Sequence, residues 1–458
     1  MARTAAELPA GIRLTNHVSL GVFTAQFPMD VVEQVLFETE RFSQRERDLL
    51  THVMVYYVIA LALYADVSTR EVLRCLTEGA RWLGDPTATT MPSKSGISQA
   101  RTRLGAAPLE ALYRAVVAEV APVVPVAPVV PVAPVATTGT PGAWYRGWRV
   151  MSLDGTTLDV GDTVANACAV GRPASARGVN ATGAFPKLRI VGLLENGTHA
   201  ICAAQLGAYR TGEVTLAADV VPHLTGKMLC LADRGLLGFD LWRQAATTGA
   251  ALLWRAGATF TLPLLERFPD GSYRSELRWN SFCTSQDRTA IPVRVIEYTL
   301  PGVPTAEATY RLVTTVLEPG RAPAEELAAL YHERWEMETA FDEFKTHLRG
   351  GQRVLRSKTP ELVRQEAWGF LLAHFAIRAM MHEAALGTLP RARDPDTLSF
   401  THALRVTRQT LPHVAAIPPS GPAAPPVGAP PRARRTPRGA RELQSGARRP
   451  PRRQAQDE

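Results

Sequence analysis

The sequence predicts an α/β protein with an all-helical N-terminal domain followed by a strand-and-helix core that carries a β-rich insertion. Three observations predict it. The first 120 residues read as apolar-rich helix, short apolar strands alternate with helices between 148 and 256, and period-two alternation takes over between 257 and 318. At 458 residues and 46% hydrophobic, the chain can bury a sizeable core and has room for two or three domains. A disordered or fibrous class is not supported.

Residues 42–65 read as one long helix. Its apolar part, 49–65, contains Thr51 and His52, and a second apolar run at 367–381 contains His374. Both fall short of the roughly 20 residues a membrane span requires, so both are expected to be buried helices. Ser68-Thr69-Arg70-Glu71 has capping-box spacing and opens another helix through about Trp82. A third begins near Ser93 and places Lys94, Arg101 and Arg103 around Ile97 and Leu104. It reads either as the recognition helix of a helix-turn-helix or as a solvated basic face.

Residues 121–143 are a Pro/Val repeat that cannot be helical, because each Pro lacks an N–H and fixes φ. A semi-rigid linker is expected over 121–147. The core then spans 148–256 and 319–400, interrupted by the insertion at 257–318. Its first strand, Val150-Met151-Ser152-Leu153, runs into Asp154-Gly155. Apolar runs at 188–194 and 198–206 flank Glu195-Asn196-Gly197, a strong hairpin signal. A helix over 213–224 precedes the strand 228–232, which ends at Asp233; a helix (238–246) and a strand (250–255) follow. Asp270-Gly271 marks a turn in the insertion. Pro323 suits the first turn of a helix running to about Leu348, and another covers 360–384. Residues 401–458 read as a basic, disordered tail.

Charge and cysteines bound the function. The net charge is +8 with pI ≈ 9.4, which favours a polyanionic partner, yet nine Arg against three acids after residue 420 place +6 of it in the tail. The five cysteines are scattered, with neither disulfide-framework nor zinc-motif spacing, and the N-terminus has no apolar signal core, so a reducing cytoplasm is expected.

Two acids end separate buried strands, where open α/β sheets place functional groups. Asp159 is the alternative to Asp154, and Asp219 and Asp240 are the alternatives to Asp233. On the helix after Pro323, turning 100° per residue places Tyr331, Arg334, Glu338 and Lys345 within an arc of about 60°. That row borders the apolar stripe of Leu330, Met337, Phe341, Phe344 and Leu348. Glu333, Glu336 and Glu343 point elsewhere and read as solvated helix acids. Trp254 and Trp279 read as core, and lone histidines such as His347 as structural.

The spacing Tyr331-x2-Arg334-x3-Glu338-x6-Lys345 resembles the Y-R-E-K signature of the insertion element 4 family of bacterial DDE transposases. The segments LDGTTLD (153–159) and LADRG (231–235) resemble that family's surroundings for its two catalytic aspartates. The resemblance implies a ribonuclease H-like core in which Asp154, Asp233 and Glu338 are catalytic and hold two Mg²⁺ ions about 4 Å apart, with Mn²⁺ as a substitute. It implies cut-and-paste transposition: cleavage at element ends in double-stranded DNA, then strand transfer to target DNA. Tyr331, Arg334 and Lys345 would be its DNA contacts, the N-terminal helices would bind the element ends, and a homodimer would hold two ends together. A nuclease without strand transfer, and an inactive DNA-binding copy, are the competing readings.

Overall fold

The computed structural model describes residues 26–42, 49–78, 92–117, 140–173, 185–258, 260–279, 283, 286–299, 309–350, 354–387 and 394–410. Most of the Pro/Val repeat (to 139) and the segment from 411 onward lie outside the described residues.

Helices α1 (Met29–Glu38), α2 (Thr51–Leu63), α3 (Thr69–Glu78), α4 (Lys94–Leu104) and α5 (Ala107–Val117) come first. The expected start signals operate: Ser68 Oγ accepts from the Glu71 N–H at 3.2 Å, and Ser93 Oγ accepts from the Gly96 N–H at 3.1 Å. α2 is apolar on every side and is buried from Val53 to Leu63, as expected of a helix with no solvent face.

The sheet begins with β1 (Trp144–Tyr145) and β2 (Trp148–Val160). α6 (Val164–Val170), β3 (Lys187–Glu195), β4 (Ala200–Ala208), α7 (Glu213–Val220), β5 (Met228–Ala232), α8 (Phe239–Thr247) and β6 (Ala251–Ala256) follow. The 257–318 stretch contributes β7 (Glu266–Arg267), β8 (Tyr273–Leu277), β9 (Ile291–Tyr298) and β10 (Tyr310–Thr314). These strands lengthen the core sheet, because β10 pairs antiparallel with β6; the order is β4-β3-β2-β5-β6-β10-β9-β8-β7. β2, β5 and β6 are mutually parallel, and β3 and β4 extend the other edge antiparallel. The Asn-Gly signal is a real turn, with Gly197 at φ 79° joining β3 to β4.

After β10 come α9 (Ala324–Tyr331), a 3₁₀ turn (His332–Arg334), α10 (Trp335–Asp342), a π-turn (Glu343–Leu348), β11 (Val354–Leu355), α11 (Pro360–Gly387) and α12 (Phe400–Thr410). Three expectations are corrected here. β2 does not end at Asp154: it continues to Val160, kept in register by β3 and then by β11. The helix from 324 to 348 is not regular, and its tight and wide turns break a uniform 100° wheel. Residues 400–410 are helix rather than tail, docked by Phe400 and Leu404, both almost fully buried, and by the Tyr64 hydroxyl donating to the Arg408 carbonyl at 2.7 Å.

One apolar cluster joins α1–α5 to α10–α12 and to one face of β3 and β4. Gly369 permits a close approach of α11 to α2, since a Cβ there would stand 2.9 Å from the Val58 carbonyl oxygen. Among the described residues, no helix is long and apolar enough to cross a membrane. Cys75, Cys168, Cys202, Cys230 and Cys283 are thiols outside any disulfide.

Candidate active site

β5 pairs with β2 only from Arg149 to Leu153, and β11 meets β2 only at Asp159 and Val160. Residues 154–158 of β2 therefore face a gap in the sheet. Asp154 and Asp233 directly follow the last parallel pair, Leu153 and Ala232, so the two acids open that gap from neighbouring strands about 4.8 Å apart. Asp159 is committed elsewhere, to Lys187 Nζ at 2.6 Å, and Asp219 accepts from Gln205 at 3.2 Å.

The helical segment lies across this opening. Arg334 is 9% exposed, and its guanidinium stands 3.3 Å from Asp154 and 3.5 Å from Glu338. Burial opposes its charge, but Tyr331, Asp154, Asp233 and Glu338 outweigh it, and its pKa rises. Asp154 and Glu338 are pushed above the ordinary carboxylate range, in each case chiefly by burial and further by neighbouring acids. Asp233 Oδ1 is buried without a hydrogen-bond partner, and the Arg255 guanidinium stands 3.9 Å from it. An orphaned carboxylate oxygen beside two carboxyls whose charged forms burial disfavours is a donor set that suits a hard divalent cation.

Tyr331 is not presented to solvent. It is 6% exposed, and its hydroxyl donates to the Ala232 carbonyl at 3.2 Å, one residue before Asp233. Its place is thus under the site, fastening the helix to the end of β5. Lys345 is half-buried and has no carboxylate within salt-bridge distance among the described residues. Burial and the nearby Lys187 and Arg349 lower its pKa.

Sequence reasoning missed Glu213. It opens α7 with its carboxyl against Gly155, next to Asp154, and its pKa is raised by burial and by Asp154, with Arg189 at 3.5 Å opposing. An acid in a first helical turn normally reads as a helix-dipole partner, so no signal in the chain separated it from that role. The reading of Glu343 as solvated is also wrong: it is 1% exposed, at the head of the π-turn, and is bound by Arg378 of α11. Trp254 is core, edge-on to Trp242 at 5.2 Å, whereas Trp279 is half-buried under the Arg288 guanidinium. On α4, Arg101 is buried and donates to Gln365 and Ser357, so it is not free to read a ligand.

Two family models match the chain. One, described as the insertion element 4 transposase N-terminal region, covers residues 17–114; the other, a transposase DDE domain, covers residues 146–376. The transposase InsG for insertion sequence element IS4 of Escherichia coli (strain K12) is 24% identical over 388 residues, 83% of this chain and 80% of that protein. Among solved structures, the piggyBac transposase in a synaptic complex with hairpin DNA aligns with 89% of this chain and 82% of its own, at 10% identity and a TM-score of 0.39. The transposase DDE model spans half of the chain, so this protein belongs to the insertion element 4 family of DDE transposases, enzymes of insertion sequences that cleave and transfer DNA strands.

Proposed function

We propose that Asp154, Asp233 and Glu338 are the catalytic acids and hold two Mg²⁺ ions, on a ribonuclease H-like core, for cut-and-paste transposition. The observation that carries this reading is the gap beside β2. Asp154 and Asp233 enter it from adjacent parallel strands, and Glu338 reaches it from the helix that Tyr331 fastens to β5. The β4-β3-β2-β5-β6 part of the sheet, antiparallel then parallel, supports the fold assignment.

Bound between these carboxylates, divalent cations supply neutralisation of the attacking and leaving oxygens of a phosphodiester. The protein's own groups do the rest. Arg334, now lying on Asp154 and Glu338, is positioned to exchange those acids for a DNA phosphate, and Lys345, which holds no carboxylate, offers a second cation to the same strand. Tyr331 positions Asp233 rather than touching DNA. The helices of the first 120 residues would bind element ends, with exposed Lys94 contributing, and two copies would hold two ends.

The test is cleavage of a labelled duplex carrying the ends of its own element, in Mg²⁺ or Mn²⁺. Wild type should cut at the element boundary; Asp154→Asn, Asp233→Asn and Glu338→Gln should bind the duplex without cutting it. Removing Arg334 should slow cleavage on the order of 10²–10³-fold, the scale for one positioned charge donor. A Glu338→Gln protein that cuts normally would overturn the assignment.

A further inference from the structure

A second cluster, apart from the three acids of the proposed active site, joins three distant stretches of chain. His199 closes the turn between β3 and β4, Glu336 lies on α10, and Asp396 lies in the 3₁₀ turn Pro395–Thr397 between α11 and α12. Their ligand atoms all lie within 4.8 Å of one another, the only such trio of His, Cys, Asp or Glu among the described residues. His199 Nε2 stands 3.0 Å from Asp396 Oδ1 and 3.7 Å from Glu336 Oε2. His199 is 3% exposed, its backbone sits in the left-handed region at φ 57°, and neither its Nε2 nor Asp396 Oδ1 makes a hydrogen bond.

His199 Nε2 and Asp396 Oδ1 are thus two buried polar atoms 3.0 Å apart, neither hydrogen-bonded, with a second carboxylate, Glu336, beside them. Buried polar atoms left without a partner are ones a cation can satisfy. The charge points the same way, since Glu336, Asp396 and Glu343 converge here, with Arg378 opposing them and His374 beside Glu343.

We propose that His199 Nε2, Glu336 and Asp396 bind one Zn²⁺ ion, separate from any cation held by Asp154, Asp233 and Glu338. One imidazole and two carboxylates suit this ion of borderline softness. The partial exposure of Glu336 and Asp396 leaves a fourth position to solvent. With the ion on Nε2, the ring proton belongs on Nδ1, which faces Glu343 Oε2 at 3.9 Å and would have to close on it to donate. Loading therefore moves Arg378 off Nδ1 and leaves it on Glu343, to which its Nε already donates at 2.9 Å. The ion would tie the β3–β4 turn and the chain after α11 to the helix two residues before Glu338. The proposal does not depend on the transposition reading.

The test uses the full-length protein, stripped with chelator and titrated with Zn²⁺, with Co²⁺ as a spectroscopic probe of the ligand set. One tightly held equivalent should persist in the Asp233→Asn/Glu338→Gln double variant. It should weaken roughly tenfold or more in His199→Gln and in Asp396→Asn, and Zn²⁺ should raise the thermal midpoint only of proteins that retain the site. Asp396 lies near the surface, so its Asn variant keeps the test decisive if His199→Gln does not fold. Absence of binding by wild type, loss in the double variant, or full retention in Asp396→Asn would each overturn the proposal and leave the cluster as an ion pair held by a proton. Failure of the double variant to cut DNA bears only on the active-site assignment.

Discussion

Gly155 is what lets Glu213 reach Asp154: a Cβ at that position would meet Glu213 Oε1 at 2.3 Å. The residue after the first acid is therefore small for a reason that lies across space, and Glu213 becomes the orienting partner of a proposed metal ligand. Glu213→Ala should weaken divalent-metal affinity roughly 10–100-fold, whereas Glu213→Gln, which keeps a hydrogen-bonding head, should stay close to wild type; metal titration of cleavage separates the two. A pH dependence follows from the raised pKa values of Asp154 and Glu338, set mainly by burial. A carboxyl with a raised pKa keeps its proton to higher pH, and that proton competes with the cation. Cleavage should thus fall on acidification at pH values above the ordinary 3.8 and 4.5 of these groups, and more Mg²⁺ should push the fall to lower pH. A profile indifferent to metal concentration would count against these ligands.

The helical segment from 324 to 348 shows where reading a sequence by period succeeds and where it stops. The grouping of Arg334 with Glu338 was legible because both lie within or beside one regular helix, and the apolar stripe was legible because its five residues are buried in spite of the irregular turns. The burial of Glu343 was not, because a single uniform turn angle cannot represent a 3₁₀ turn at 332–334 and a π-turn at 343–348. For the same reason Asp154 was found as a strand residue but misread as a strand end: β5 stops beside it, while β2 itself goes on. Such neighbour-dependent features are invisible in one segment alone. The corrected position of Glu343 carries its own expectation. Arg378 holds this carboxyl well below its ordinary 4.5 despite full burial, the two histidines His199 and His374 assisting. Its lowered pKa contributes stability above pH 4.5 that disappears as pH falls below that value. Glu343→Gln leaves a buried guanidinium without its counter-charge, so it should lose about 3–5 kcal/mol in denaturant unfolding and also flatten the acid limb.

At the scale of the molecule, the helices before residue 118 do not own a core; they share one with α10–α12. A fragment of residues 1–120 is therefore expected to be unfolded by circular dichroism and hydrogen exchange, and Gly369→Ala, which drives a methyl against the Val58 carbonyl, to destabilise the whole protein by about 1–3 kcal/mol. DNA affinity should fall linearly in log–log form as salt rises, because the contacts expected of Arg334 and Lys345 are to phosphates. The shared core also sets a timetable for synthesis. Roughly 300 residues separate α2 from α11, so at about 5–20 residues per second the most apolar helix of the chain waits roughly 15–60 s for the partner that covers it. During that interval the nascent chain exposes a greasy cylinder with no wet side, which makes its yield depend on chaperone supply and translation speed more than on the stability of the finished protein.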